Sequence, residues 1–402
     1  MKGAGTITLA AGGLPVLVAW LVGLSGLPVA HRPITDVLAE VLAVLLLVLG
    51  WRFRRGRLVV AAVALALANF LVRGPLAESP SEAGLATLAI LLPITLAVLS
   101  LLPERPINSP VILTLLGAVA VQSWFIAAIG RAQLSIRDGG LIGSVSELFT
   151  SPDLGRLVFL IAGAFITLAY AARHSTFEGS LLWVTAASAL ALLAGNGPHA
   201  ATLAFAAAQL VLLIGLIEDS YRLAYHDELT GLPGRRALEE ALRTIDGDYT
   251  ISMVDVDHFK RFNDRHGHAA GDQALRMIAA ELQNVSGGGR AYRYGGEEFT
   301  IVFPGVNPGE ASEHLESVRK AIADRRFALR SSSRPQKKPD PPPTSSRPPR
   351  LISVSVSIGF AGPSARTGDS IAVLRAADRA LYRAKNKGRN RVMRYGARSA
   401  RG

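Results

Sequence analysis

The 402-residue chain contains no cysteine, which removes disulfides, thiolate metal sites and a cysteine nucleophile from consideration. Charge is scarce in its first half: residues 1–222 carry 13 Lys and Arg against 11 Asp and Glu, whereas residues 223–402 carry 30 against 20. The net charge of +12 therefore resides almost entirely in the second half. Part of that excess is a basic insert and tail, solvated charge of the common kind, so nucleic-acid binding is not expected. The apolar half holds no row of acidic residues or histidines, so neither a proton relay nor an ion pathway is suggested. Glu40, near the start of one apolar run, is the single candidate, and snorkelling to an interface is its expected role.

What the first half does have is long apolar runs, among them "DVLAEVLAVLLLVLGW", "LVVAAVALALANFLV" and "LGRLVFLIAGAFITLAYAA". Several approach the roughly 20 residues that cross a bilayer's hydrocarbon core. Eight spans are expected within residues 1–216, with seven the nearest alternative. A cleaved signal peptide would account for the first run but not for those after it. Eight spans place both ends on one side, together with the densest basic loop, Arg52, Arg54, Arg55 and Arg57; the positive-inside tendency makes that side cytoplasmic. Residues 131–153 form the longest outer segment and read as a connector.

From Ile217 the sequence turns polar. A helix is expected to leave the bilayer over 217–226, break in "TGLPG" and restart in "RRALEEAL". An apolar strand at Ile251–Val254 ends in Asp255-Val256-Asp257, whose two carboxylates share a side because strand side chains alternate. Clustered acids at a strand end suit a hard cation such as Mg²⁺, which prefers oxygen ligands. "FNDRHGHAAGD" then reads as a turn before an amphipathic helix to about Leu282. "RAYRY" and "EEFTIVF" read as two strands joined at Gly295-Gly296, glycines that permit positive φ and close approach of a ligand. If that hairpin pairs with the strand ending at Asp255, a cation relieves the repulsion among the acids. Ile352, Val354, Val356 and Ile358 alternate with serines, as in a half-buried strand.

The blocks "DELTGLPGRRAL", "DVDHFKRFNDRHGHAAGD", "RYGGEEF", "VSVSIGFA" and "AADRALYRAKNKGRNRV", taken together and in this order, resemble the GGDEF family of diguanylate cyclases, which join two GTP molecules into cyclic di-GMP. The apolar runs read as an all-α transmembrane domain (1–216) and the polar turn after them as a connecting helix (217–226); the resemblance, which spans about Asp227 to Val392, implies an α/β catalytic domain (227–395), and a basic tail (396–402) follows. That domain is expected to be polymerase-palm-like, with a mostly antiparallel sheet flanked by helices. It further implies Mg²⁺ or Mn²⁺ held by Asp255, the Val256 carbonyl and Glu297. Glu297 is also the implied proton acceptor, with Glu298 in support. Asn263 and Asp272 correspond to the residues that read guanine, and His268 lies in the same segment. His258, Phe259 and Lys260 correspond to the phosphate turn. Lys385 and Arg389, four apart and so on one face of the last helix, correspond to phosphate clamps. GTP is the implied substrate, with a homodimer formed through this domain at the bacterial cytoplasmic membrane.

Three departures stand out. Gly234 replaces an asparagine common in "LTxLxNR". The Arg-x-x-Asp of the family's product-inhibition site would fall at Ser286 and Gly289, so no inhibition through that site is expected. Residues 331–350, "SSSRPQKKPDPPPTSSRPPR", form an insertion too polar and Pro-rich to build a core, and disorder is expected there. No phosphodiesterase signature follows the last helix, so synthesis without breakdown is expected. Two other readings compete: a catalytically silent nucleotide receptor or scaffold, and a transporter regulated by a nucleotide module.

Overall fold

The structure is a computed structural model and describes residues 12–25, 32–74, 82–132, 152–195, 197–328, 351–364 and 369–396. The insertion at 331–350 and the tail from 397 onward lie outside the described residues. The chain divides into two compact units, residues 1–221 and 222–402.

Each of the eight apolar runs forms a helix: α1 Gly13–Ser25, α2 Arg32–Arg52, α3 Gly56–Arg73, α4 Glu82–Leu101, α5 Pro110–Ala132, α6 Pro152–Arg173, α7 Thr176–Leu193 and α8 Gly197–Tyr225. Among the described residues seven, α2 to α8, are long and apolar enough to cross a membrane. α1, with 13 described residues, borders residues 26–31, which lie outside the described residues. Leu46, Leu65, Leu92, Leu96, Ile166 and Phe205 are wholly buried between helices, while Trp51, Trp124, Leu160 and Leu168 face outward. So much outward apolar surface gains nothing from water and suits an apolar surrounding phase.

One end of this bundle is tied by charge. Arg57 Nη1 donates to Glu178 Oε1 at 2.8 Å and to the Leu102 carbonyl at 2.9 Å. Its Nε donates to Glu104 at 3.2 Å. Arg173 Nη1 donates to Glu178 at 3.2 Å and to the Ser100 carbonyl at 2.8 Å, satisfying carbonyls that end α4. Arg55 pairs with Asp219 of α8, which also accepts from Thr176 Oγ1 at 3.2 Å. Arg55 and Arg57, two of the four arginines in the densest basic loop, are thus paired. Glu40 is paired as well: Arg73 donates to it at 3.1 Å and bridges to Asp36 at 2.9 Å.

The second unit is built on a five-stranded sheet in the order β2-β3-β1-β6-β7. Its strands are β1 Tyr249–Val256, β2 Arg290–Gly295, β3 Glu298–Pro304, β6 Val356–Ala361 and β7 Val392–Arg394. Pairing is antiparallel except for β6 with β7. β4 Phe327–Ala328 and β5 Leu351–Ile352 form a separate pair. The helices are α9 Arg235–Thr244, α10 Phe259–His266, α11 His268–Gln283, α12 Pro308–Asp324 and α13 Ser370–Asn386.

Side-chain alternation assigns each strand residue to a face. Val254, Phe299, Ile301, Phe303 and Ile358 pack with Ile278, Leu282, Leu315 and Ile322 of α11 and α12. On the other face Ile251, Met253 and Val302 pack with Leu238 and Leu242 of α9 and Ala377 and Leu381 of α13. β1 and β6 are therefore buried along their whole length. The expectation of a half-buried strand fails for β6 because helices cover both faces, and Ser357 is sealed inside.

Candidate active site

β1 delivers Asp255 to the sheet's end, where it lies opposite Glu298 of β3 and Ser357 of β6. Its side chain faces α13, and Lys385 Nζ sits 2.8 Å from Asp255 Oδ2. Burial raises the Asp255 carboxyl above its ordinary range, with Lys385 and Arg389 pulling the other way. Glu297 lies in the two-residue turn between β2 and β3, where burial and then the Asp255 charge raise its carboxyl too. A carboxylate whose ionisation is hindered by burial and by a neighbouring carboxylate marks a place where a cation is favourable.

The donors fit a hard divalent ion. Among the described residues no group of three or more His, Cys, Asp or Glu side chains is assembled as a metal cage. Two carboxylates and a carbonyl suit an ion that completes its shell with water and substrate phosphates, as Mg²⁺ does. Asp257 sits one residue beyond β1 and accepts from Ser355 Oγ at 2.7 Å, Ser357 Oγ at 2.6 Å and the Asn390 amide at 3.0 Å. Ser357 lies opposite Asp255 in the sheet, so these bonds keep the Asp257 carboxylate on the Asp255 side, where its charge adds to the rise of the Asp255 carboxyl.

Arg389 is also displaced from its expected place. α13 stops at Asn386, and Gly388, Arg389 and Asn390 all take positive φ, at 105°, 59° and 44°. Spacing of four residues on a helical face therefore does not unite Lys385 with Arg389. Their charges nonetheless act on the same Asp255. A left-handed conformation costs a non-glycine residue about 1–2 kcal/mol, and here two occur in succession.

His258 caps α10 at φ 56° and is exposed, as are Lys260 and His268. The Phe259 side chain lies in the core, leaving its backbone at the turn. The "FNDRHGHAAGD" segment is two helices meeting at Gly267, φ 83°, and not one turn. Asn263 and Asp272 lie on either side of that corner. Asn263 Oδ1 is buried without a hydrogen-bond partner, an acceptor available to the N–H groups of a ligand. Gly271 makes this possible, since a Cβ there would collide with Asn263 Oδ1.

The hairpin tip is braced in a way its glycines did not disclose. Neither Gly295 nor Gly296 takes positive φ; the register shifts between Arg293 and Gly295 instead. A Cβ at Gly296 would meet nothing within 4 Å, so room beside the backbone is what that glycine provides. Arg293 Nη2 donates to the Gly296 carbonyl at 2.7 Å and its Nη1 to Asp227 at 2.6 Å. Asp227 also accepts from the Thr230 amide and hydroxyl at 2.8 and 2.7 Å. Burial raises its carboxyl, but the bonds from Thr230 and Arg293 outweigh that and hold it low. Asp227, Arg293 and Asn390 are site supports that sequence reasoning left without a role.

Residues 224–391 match the family described as the diguanylate cyclase GGDEF domain. The second unit is a GGDEF domain. The chain is 38% identical over 185 residues to diguanylate cyclase DgcP of Pseudomonas aeruginosa, covering 44% of this chain and 25% of that protein. It is 37% identical over 175 residues to diguanylate cyclase VdcA of Vibrio cholerae, covering 42% and 47% respectively. The coiled coil and GGDEF domain of DgcB from Caulobacter crescentus, in complex with c-di-GMP, is 31% identical and overlays 45% of this chain and 91% of that one at a TM-score of 0.39. The chain thus spans between a quarter and half of the length of these two curated relatives.

Proposed function

We propose that the chain is a membrane-embedded diguanylate cyclase that condenses two GTP into cyclic di-GMP and two pyrophosphates. The observation that carries this reading is the meeting of Asp255, Glu297 and Lys385 at the end of β1 and the hairpin tip. Asp255, Glu297 and the Val256 carbonyl would hold Mg²⁺ or Mn²⁺. Such an ion supplies positive charge at the α-phosphate and makes the attacking hydroxyl more acidic.

The chain's own groups do the rest. Asn263 and Asp272 hold guanine through an amide and a carboxylate, which suit its O6 acceptor and N1 and N2 donors. The His258–Lys260 turn takes the phosphates. Glu297 accepts the 3′-hydroxyl proton as that oxygen bonds to the α-phosphorus of the other GTP. The bond from that phosphorus to pyrophosphate breaks, and Lys385 and Arg389 neutralise the charge that leaves. Each domain holds one GTP, so both bonds of the ring require two domains face to face.

The seven apolar helices support the reading of a multi-pass protein of the bacterial cytoplasmic membrane, with the GGDEF unit in the cytoplasm. The Arg55–Asp219 pair supports the orientation, because it joins the basic turn at Arg52–Arg57 to the end of α8 from which the GGDEF unit continues. Full-length protein in detergent, incubated with GTP and Mg²⁺ and analysed by chromatography, tests the reading. Cyclic di-GMP is the expected product, and GTP bound but unchanged in a dimeric preparation overturns it.

A further inference from the structure

The Gly388–Asn390 loop owes its conformation to groups outside it. The Asn390 amide donates to the buried Asp257 carboxylate, whose other bonds come from Ser355 and Ser357. The Asn390 side chain accepts from Arg319 Nη1 of α12. Arg319 is itself held by Glu316, to which its Nε and Nη2 donate at 2.9 and 2.7 Å. The Arg389 amide donates to the Ala384 carbonyl, and the Arg389 carbonyl accepts from Arg391 Nε at 3.0 Å. A left-handed Arg-Asn pair persists only where its surroundings over-determine it, and these bonds are those surroundings.

We propose that Asp257 and Arg319 are positioning residues for Arg389. By gripping Asn390 from the sheet and from α12, they hold the preceding residue left-handed, so that its guanidinium faces the Asp255 end of β1 and meets the outer phosphates of the nucleotide. Neither residue touches substrate; both act through the peptide between Arg389 and Asn390. The inference rests on the reading of Arg389 as a phosphate group and extends it to what aims that side chain.

The test compares affinities of the full-length protein for α,β-methylene-GTP, which cannot be cyclised, and for GMP, which lacks the outer phosphates. Calorimetry in detergent with Mg²⁺ yields the ratio of the two. Arg389→Ala should reduce that ratio by about tenfold, the worth of one charged hydrogen bond. Asp257→Ala should reduce it comparably, and adding Asp257→Ala to Arg389→Ala should reduce it no further, because the two act as one unit. Arg319→Gln should move the ratio the same way to a smaller extent; it leaves the buried carboxylate intact and decides the matter if Asp257→Ala does not fold. A general structural role predicts equal losses for both ligands, and that result, or additivity in the double variant, overturns the proposal. An unchanged ratio in Arg319→Gln, where Asp257→Ala is unfolded, overturns it equally. If Arg389→Ala leaves the ratio unchanged, the reading of Arg389 itself fails, and the inference with it.

Discussion

Glu297 ionises against two opposing influences, its burial and the charge of Asp255. Glu297→Gln removes the charge and keeps the shape. Turnover of GTP should fall by about 10³-fold, the weight of a lost proton acceptor, while the cation-free protein melts at the same temperature or higher by scanning calorimetry. The folded-state carboxyls of Asp255 and Glu297 are raised above their unfolded values, so their ionisation opposes folding. That penalty is relieved as pH falls through the raised values. Proton and cation compete for the same oxygens; the acid limb of the pH–rate profile should therefore move to lower pH as Mg²⁺ is raised, and a limb that stays fixed contradicts the assignment. Asp227 has the opposite sign. Its lowered carboxyl contributes stability above the unfolded value that is lost as pH falls through the folded one. The motif pattern supplied Asp255, Glu297 and Lys385 as residue identities, and the structure brings these three together. It also suggested that Asp257 faces the same way, and the bonds that hold it there come from Ser355 and Ser357, the latter opposite Asp255 in the sheet. Such a partner, about a hundred residues away, is invisible to local spacing.

At the scale of elements, two glycines are required by neighbours that the sequence does not reveal. Gly359 of β6 lets the backbone of α13 lie directly on the sheet: a Cβ there would stand 2.6 Å from the Ala380 carbonyl carbon and closer still to Leu381 and Ala377. Backbone cannot move aside as a side chain can, so Gly359→Ala should destabilise the GGDEF unit by about 3 kcal/mol, read from denaturant unfolding. Gly271→Ala pushes on side chains alone, hardest on Asn263 and less on the Phe259 ring. It should weaken guanine-nucleotide binding more than it lowers the melting temperature, a split that calorimetry of ligand binding and of unfolding resolves. Gly289 bears on regulation. Its missing side chain leaves Phe303 and Val285 each 2.7 Å from where a Cβ would stand, and Ser286 is bonded to His314 at 2.8 Å. Added cyclic di-GMP should not inhibit through this segment; tight inhibition mapped there would refute that. Helices and strands were legible from periodicity because each buries one stripe or alternates. Burial of both faces of β6 was not legible, since its covers, α12 and α13, come from opposite sides of it in the chain.

Across the whole molecule, composition divides the chain near the contact boundary, and apolar run length yields the helices of the first unit. Topology has a direct check that the absence of native cysteine makes clean. Arg54→Cys should react with a membrane-impermeant maleimide only when the cytoplasmic face is accessible, as in inverted vesicles. The charged end of the bundle has its own signature: Glu178 is wholly buried between Arg57 and Arg173, and Glu178→Gln leaves both cations short of a counter-charge. Breaking a buried pair costs about 3–5 kcal/mol, so the detergent-solubilised variant should unfold well below the parent temperature. Six charges, Arg55, Arg57, Glu104, Arg173, Glu178 and Asp219, drawn from α3, α6, α7, α8 and the segments after α2 and α4, are tied at one end of the bundle. A helix bound to such a collar has no freedom to slide along its neighbours. On the membrane reading proposed above, bilayers of unequal thickness should therefore change the lean of these helices together and leave the end of α8 at one height above the lipid.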